Sequence, residues 1–223
     1  MNQGNNKPNL ARDLARIHRV ITRGLDISIT HGERFIQEGF PDAITLKGYT
    51  DYVQSLLTVL DAHHTTEDEL AFPLFMEKIP DAPYSRLADE HHEMDQILDK
   101  ARETLKGLVG EKSAQMVNVL VGQLRRLSAI WHRHIDVEEI HFDEEAINSI
   151  MAPAEQGEMS GTMAKLSMDM SSEPFLTVPF ILFNLATDDR AEISVNMPPV
   201  LINNLVPVDW KAQWAPMKPF LLE

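Results

Sequence analysis

The chain contains no cysteine among its 223 residues. That absence removes disulfides, thiolate catalysis, iron–sulfur clusters and cysteine zinc sites together. Any resident metal must be held by histidine nitrogen and by oxygen, a ligand set that suits iron, manganese or zinc. Positive charge is also scarce: 20 basic against 34 acidic residues leave a formal net charge of -14. Nucleic acid and anionic membrane both require a basic footprint, so neither is expected as a partner. The most apolar stretch, Pro174 to Ala186, is too short for a membrane helix and carries Pro179. Met1 to Asn9 is polar and lacks the apolar core of a secretory signal, so a cytoplasmic protein is expected. What is present, 43% hydrophobic and 24% charged residues, is enough for one large core, alone or with a smaller appendage.

Helical periodicity dominates residues 8–150. The first pattern runs from about Pro8 towards Gln37 on Leu10, Leu14, Ile17, Ile21 and Leu25, until Gly39-Phe-Pro-Asp42 breaks it. The second covers about Thr45 to Lys78 with Leu56, Leu60, Leu70 and Leu74 on one face, and ends at Pro80 and Pro83. The third follows from Tyr84 to about Lys106 on Leu87, Met94, Leu98 and Leu105, with a turn expected at Gly107 to Gly110. The fourth spans about Ser113 to Ile150 on Leu120, Leu124, Leu127 and Trp131. Short connections between long helices predict an all-α fold, an antiparallel up-down-up-down four-helix bundle over residues 8–150. Beyond Pro153, the stripe Met159, Met163, Leu166 and Met170 reads as core packing, and a series of prolines then cuts the chain into short pieces. Residues 151–223 are therefore expected to form a helical C-terminal extension, packed on the bundle or on a second subunit of a homo-oligomer.

Each apolar stripe is interrupted by a residue able to bind metal. His18 lies between Leu14 and Ile21; His63 and Glu67 between Leu60 and Leu70; His91 between Leu87 and Met94; His134 and Glu138 follow Trp131. A lone histidine on such a face is ordinarily a hydrogen-bonded core residue. Two inward carboxylates are different, because a buried unpaired carboxylate costs several kcal/mol, a large part of the roughly 5–15 kcal/mol that stabilises a domain. No lysine or arginine falls on the four stripes to neutralise them. A cation bound between the helices does so. A carboxylate can bridge, so two metals between Glu67 and Glu138 are the natural stoichiometry, with His18 and His63 on one ion and His91 and His134 on the other.

The first-helix histidine, the His63-His-Thr-Thr-Glu67-Asp segment ending at Phe72-Pro73, Glu90-His91, and His134-x-x-x-Glu138-Glu139 together resemble the hemerythrin, or HHE cation-binding, domain. The resemblance covers about residues 8–150. It implies a left-handed antiparallel bundle and a carboxylate-bridged di-iron centre, with an oxo or hydroxo bridge and with manganese or zinc as substitutes. It carries over His18, His63, Glu67, His91, His134 and Glu138 as metal ligands. Oxygen-carrying members have a further histidine where this chain has Leu87, and place the last acidic ligand at the position of Glu139. Glu138 or Glu139 is thus open as the fourth-helix acid, and water, His64 or a residue from elsewhere as the group filling the gap. Glu139, Asp68 and Glu90 are suited to hydrogen-bond ligand imidazoles. His31 and His132 fall off the stripes, His92 is turned away from its neighbour, and His141 lies further along the fourth helix.

Three functional readings follow. A histidine-rich set with only two carboxylates stabilises high-valent iron weakly, which favours binding, sensing or storage of dioxygen or a related small ligand. An open coordination position favours instead an enzyme acting on peroxide, nitric oxide or an organic substrate. The extension favours an iron-homeostasis or stress protein read by a partner. A ferritin-like carboxylate protein fits poorly, because Glu138-x-x-His141 has no mate on another helix.

Overall fold

The computed structural model describes residues 7–110 and 114–222. Among them all regular structure is helical, and no helix is long and apolar enough to cross a membrane. Helix α1 (Leu10–Glu38) opens on Asn9, whose side chain accepts a hydrogen bond from the Arg12 amide, and ends at Gly39, where φ is 97°. A positive φ of this kind strains residues with a Cβ, which is why glycine stops the helix here. Asp42 then caps α2 (Ala43–Thr66) by accepting from the Ile44 and Thr45 amides.

The second helical pattern continues to Lys78, although not as one regular helix. A π-helical stretch, Glu67–Ala71, separates α2 from α3 (Phe72–Lys78). Pro73 supplies no amide, and its ring crowds a regular turn; the wider turn, in which the Phe72 amide reaches the Glu67 carbonyl, accommodates it. Helix α4 (Tyr84–Gly110) runs through the turn expected at Gly107, where a Cβ would collide with the Met116 side chain. The fourth pattern divides in two, α5 (Ala114–His141) and α6 (Glu144–Ile150), because Asp143 accepts from the Ala146 amide and starts a new helix. Helix α1 packs on α5 and α2, and α4 packs on α5 and α2, closing a ring around a shared core.

Residues beyond 150 form α7 (Pro153–Met170), α8 (Pro174–Phe183), α9 (Thr187–Val195), a π-helical segment (Leu201–Asp209), α10 (Lys211–Trp214) and a 3-10 turn (Ala215–Phe220). They pack on the first two helices. On α7, Met163 is buried, and Gln156 accepts a hydrogen bond of 3.0 Å from the Leu10 amide at the start of α1. Tyr52 on α2 donates to Asn184 Oδ1 at 2.6 Å. The 215–220 turn lies so close to α2 that a Cβ at Gly48 would overlap the Pro216 carbonyl. Buried Arg16 pairs with Asp13 and with Asp189 and Glu192 of α9, tying that helix to α1.

Three apolar clusters result among the described residues; one, of Val178, Leu182, Leu201 and Val206, lies within the C-terminal extension, and two are built mainly from the helices before it. The larger of those two contains Val20, Leu56, Leu60, Leu98, Leu124 and Trp131; the smaller contains Leu10, Leu14, Phe72, Phe75, Leu87 and Phe142. The polar side chains described next lie between Trp131 of the larger and Phe72 of the smaller.

Candidate metal centre

Helices α1, α2, α4 and α5 each deliver one histidine of the four stripes to this layer, and all four rings are buried. Glu67 and Glu138 join them, equally buried, one helical turn after His63 and His134. Donor atoms of His18, His63, Glu67 and Glu138 lie within 4.8 Å of one another, and so do those of Glu67, His91, His134 and Glu138. The two groups share both carboxylates. Glu138 divides its oxygens between them, Oε2 lying 3.3 Å from His18 Nε2 and Oε1 3.1 Å from His134 Nε2. Glu67 turns one oxygen to both, with Oε2 at 3.4 Å from His63 Nε2 and 3.6 Å from His91 Nε2.

Carboxylates at the rim fix which imidazole nitrogen faces inward. His18 Nδ1 lies 2.9 Å from Glu139, His91 Nδ1 3.0 Å from Asp68, and His134 Nδ1 3.2 Å from Glu90. A carboxylate only accepts, so each neutral ring places its proton on Nδ1 and turns a bare Nε2 to the centre. Glu139, Asp68 and Glu90 thus hold imidazoles, as their positions in the sequence suggested.

The interior of the layer is unsatisfied. His18 Nε2, His63 Nε2, Glu67 Oε2 and both oxygens of Glu138 are buried without a hydrogen-bond partner. His91 Nε2 and His134 Nε2 stand 2.9 Å apart, two lone pairs with no proton between them when both rings are neutral. Burial pushes Glu67 well above the ordinary carboxylate range, and the Glu138 charge beside it adds to the rise. Burial acts on Glu138 in the same sense, but His134 and His18 outweigh it and hold that carboxyl well below the range. His63 is driven well below the usual imidazole value by burial and by neighbouring His18. A buried layer in which carboxylate oxygens and imidazole nitrogens outnumber the protons that could pair them has the chemistry of a cation site.

A family model for the hemerythrin HHE cation binding domain matches residues 9–142, well over half of the chain. The chain belongs to the hemerythrin HHE family. No curated protein and no solved structure matches it significantly. The matched region contains all six converging side chains, and membership makes cation binding the family-level function. The orphaned acceptors fit that function.

His64 is buried beside His91, and the four remaining histidines lie elsewhere. His92 and His132 are exposed, His31 is half-buried against Phe220, and His141 Nδ1 donates to the Val137 carbonyl at 2.8 Å. Leu87, one turn before His91, is wholly buried in the smaller apolar cluster. Sequence reasoning missed Asp95, which lies 3.3 Å from buried His64. Nothing in the spacing of Asp95 pointed to it, because its partner falls off the apolar stripe of α2.

Proposed function

We propose that the chain is a di-iron protein that binds dioxygen or a similarly small ligand in an antiparallel up-down-up-down four-helix bundle over residues 8–150. His18 and His63 hold one ion, His91 and His134 the other, and Glu67 and Glu138 bridge them. The observation that carries this reading is the division of one layer of bare acceptors into two groups sharing both carboxylates. The bound irons would supply reversible electron donation to a small ligand.

The protein's own residues set what can approach. A cavity of about 20 Å³, roughly the room one water needs, is lined by His18, Glu67, Glu138, Ala15, Leu14 and Phe142. It borders the His18 and His63 group, with Glu139 and Ala11 also in its walls, and its size suits a diatomic molecule or peroxide. It is too small for an organic substrate. A larger surface groove of about 470 Å³, which includes Arg19, Arg23 and Asp26, also reaches His18. The Nδ1 of His18 is held there by Glu139, which also lines that groove, while Nε2 points to the centre.

Protein purified from iron-supplemented cells is expected to contain about two irons per chain and to show oxo-bridge charge-transfer bands. Stopped-flow mixing of the reduced protein with dioxygen should give an oxygenated species that is reversed by evacuation. Irreversible oxidation, with peroxide consumption that His91→Ala abolishes, would assign an enzyme instead. Folded protein that takes up neither iron, manganese nor zinc defeats both readings.

A further inference from the structure

The cavity of about 20 Å³ beside His18 touches both carboxylates of the centre, and its walls differ in exposure. His18, Glu67, Glu138, Leu14 and Phe142 are buried; Ala11 and Ala15 are half-buried, and 51% of the Glu139 side chain is exposed. Among the lining residues, only those last three reach the surface. Ala11, Ala15 and His18 stand one above another on α1, four and three residues apart. Glu139 faces them from α5, where it accepts from His18 Nδ1. A methyl group fills little of the space between two helices, so two alanines one turn apart leave an opening that longer side chains would close.

Other faces of the layer are covered. Trp131 is wholly buried and sets its ring edgewise to His18 and to His63, with centroids 5.6 Å apart in both pairs. Phe72 lies flat against His91 at 5.6 Å. The larger groove beside Arg19 and Arg23 ends at the outer side of His18 and Glu139, and neither Glu67 nor Glu138 lines it.

Charge along the route through the small cavity has one sign. Glu67 and Glu138 lie at its inner end and Glu139 at its mouth, and no lysine or arginine lines it. Arg19, on the groove side of Glu139, is occupied by Asp189 at 3.0 Å. Ions bound between Glu67 and Glu138 neutralise those two, so Glu139 is the charge that an arriving ligand meets. It repels an anion in a narrow passage and leaves an uncharged molecule unaffected.

We propose that small ligands enter through the seam between α1 and α5 at Ala11 and Ala15, and that Glu139 makes this entrance select uncharged molecules over anions. The proposal rests on the small-ligand reading above and adds to it an entrance and a selecting residue.

The test uses the full chain as wild type, Glu139→Gln and Ala15→Phe. Glutamine still accepts from His18 Nδ1 but carries no charge; phenylalanine adds bulk at the seam and changes no metal-binding side chain. Two probes are followed by stopped-flow absorbance on iron-loaded protein, nitric oxide with the ferrous form and azide with the ferric form. Glu139→Gln is expected to bind azide at least about tenfold faster, and nitric oxide within about twofold of the wild-type rate. Ala15→Phe is expected to slow both at least about tenfold. In metal-free protein, dissolved dioxygen should enhance nuclear relaxation of the Leu14 methyls more than of the Leu98 methyls, and Ala15→Phe should remove the difference. If Ala15→Phe unfolds by circular dichroism, Ala11→Leu replaces it with the same expectation. Unchanged azide binding in Glu139→Gln, or equal acceleration of both probes, overturns the selection. Unchanged rates in the folded seam variant overturn the entrance. A wild type that takes up no iron overturns the two-ion reading and the selection with it, while the dioxygen measurement on metal-free protein still decides the entrance.

Discussion

The regions on either side of Trp131 are stabilised differently. Towards Leu56, Leu98 and Leu124 the four long helices interlock through aliphatic side chains with complementary shapes, closed by the 215–220 turn. In the layer of His63, Glu67, His134 and Glu138, packing brings together groups that repel one another or lack partners. The first region needs only the exclusion of water. The second is incomplete without a positive charge, and its cost must be carried by the first until that charge arrives.

The sharpest way to break this contrast is to remove metal. Stripping iron with a chelator is expected to lower stability by about 4 kcal/mol when free iron in the loaded sample is about a thousand times its dissociation constant. Coincident urea unfolding curves for stripped and reloaded protein would erase the distinction. Leu56→Ala, in the aliphatic region, should cost about 3 kcal/mol while leaving iron content unchanged. Denaturant midpoints and metal analysis on the same sample check both halves of that statement.

Glu67→Leu inverts the usual sense of a core mutation. Without metal it should raise stability by about 1–3 kcal/mol, because a buried carboxyl group without a counter-charge is removed, while metal retention is lost. Lower stability in the metal-free variant would show that the layer already neutralises its own charge. Gly48→Ala forces the Pro216 backbone away from α2 and should cost about 1–2 kcal/mol, read as earlier proteolysis within 211–220 at normal iron content. The smallest effect, about 0.5 kcal/mol, is expected for Arg12→Ala, which removes the exposed ion pair to Glu144. A thermal shift clearly larger than this would assign α6 a closing role over the smaller cluster.

Four histidines and two glutamates were legible as metal-binding candidates in the sequence because a helix repeats its faces on a fixed period, and each stood where an aliphatic residue was due. His64 entered only through the family resemblance, because periodicity leaves it off the stripe while α2 is buried on more than one side. Tyr49, Tyr52, Val53, Leu57 and Ala62 are all covered, largely because α8 and the 215–220 turn lie over the face that periodicity would leave to solvent. Helix breaks were legible where glycine and proline acted locally, as at Gly39. They were missed where a side chain rather than the backbone decided the matter. Asp143 ends one helix by capping another, and Gly107 lies within α4 where the Met116 side chain takes the space that a Cβ would fill.

The contact between Gly48 and Pro216 also orders events in time. A growing polypeptide emerges from the ribosome in sequence, so every residue from α1 to α5 is available before the 215–220 turn exists. During that interval the outer face of α2 is uncovered, and its tyrosines can meet other chains. Assembly of the cation-binding layer can precede closure of the aliphatic end, and a nascent chain that halts short of residue 215 would expose sticky surface even with its histidines and glutamates already in place.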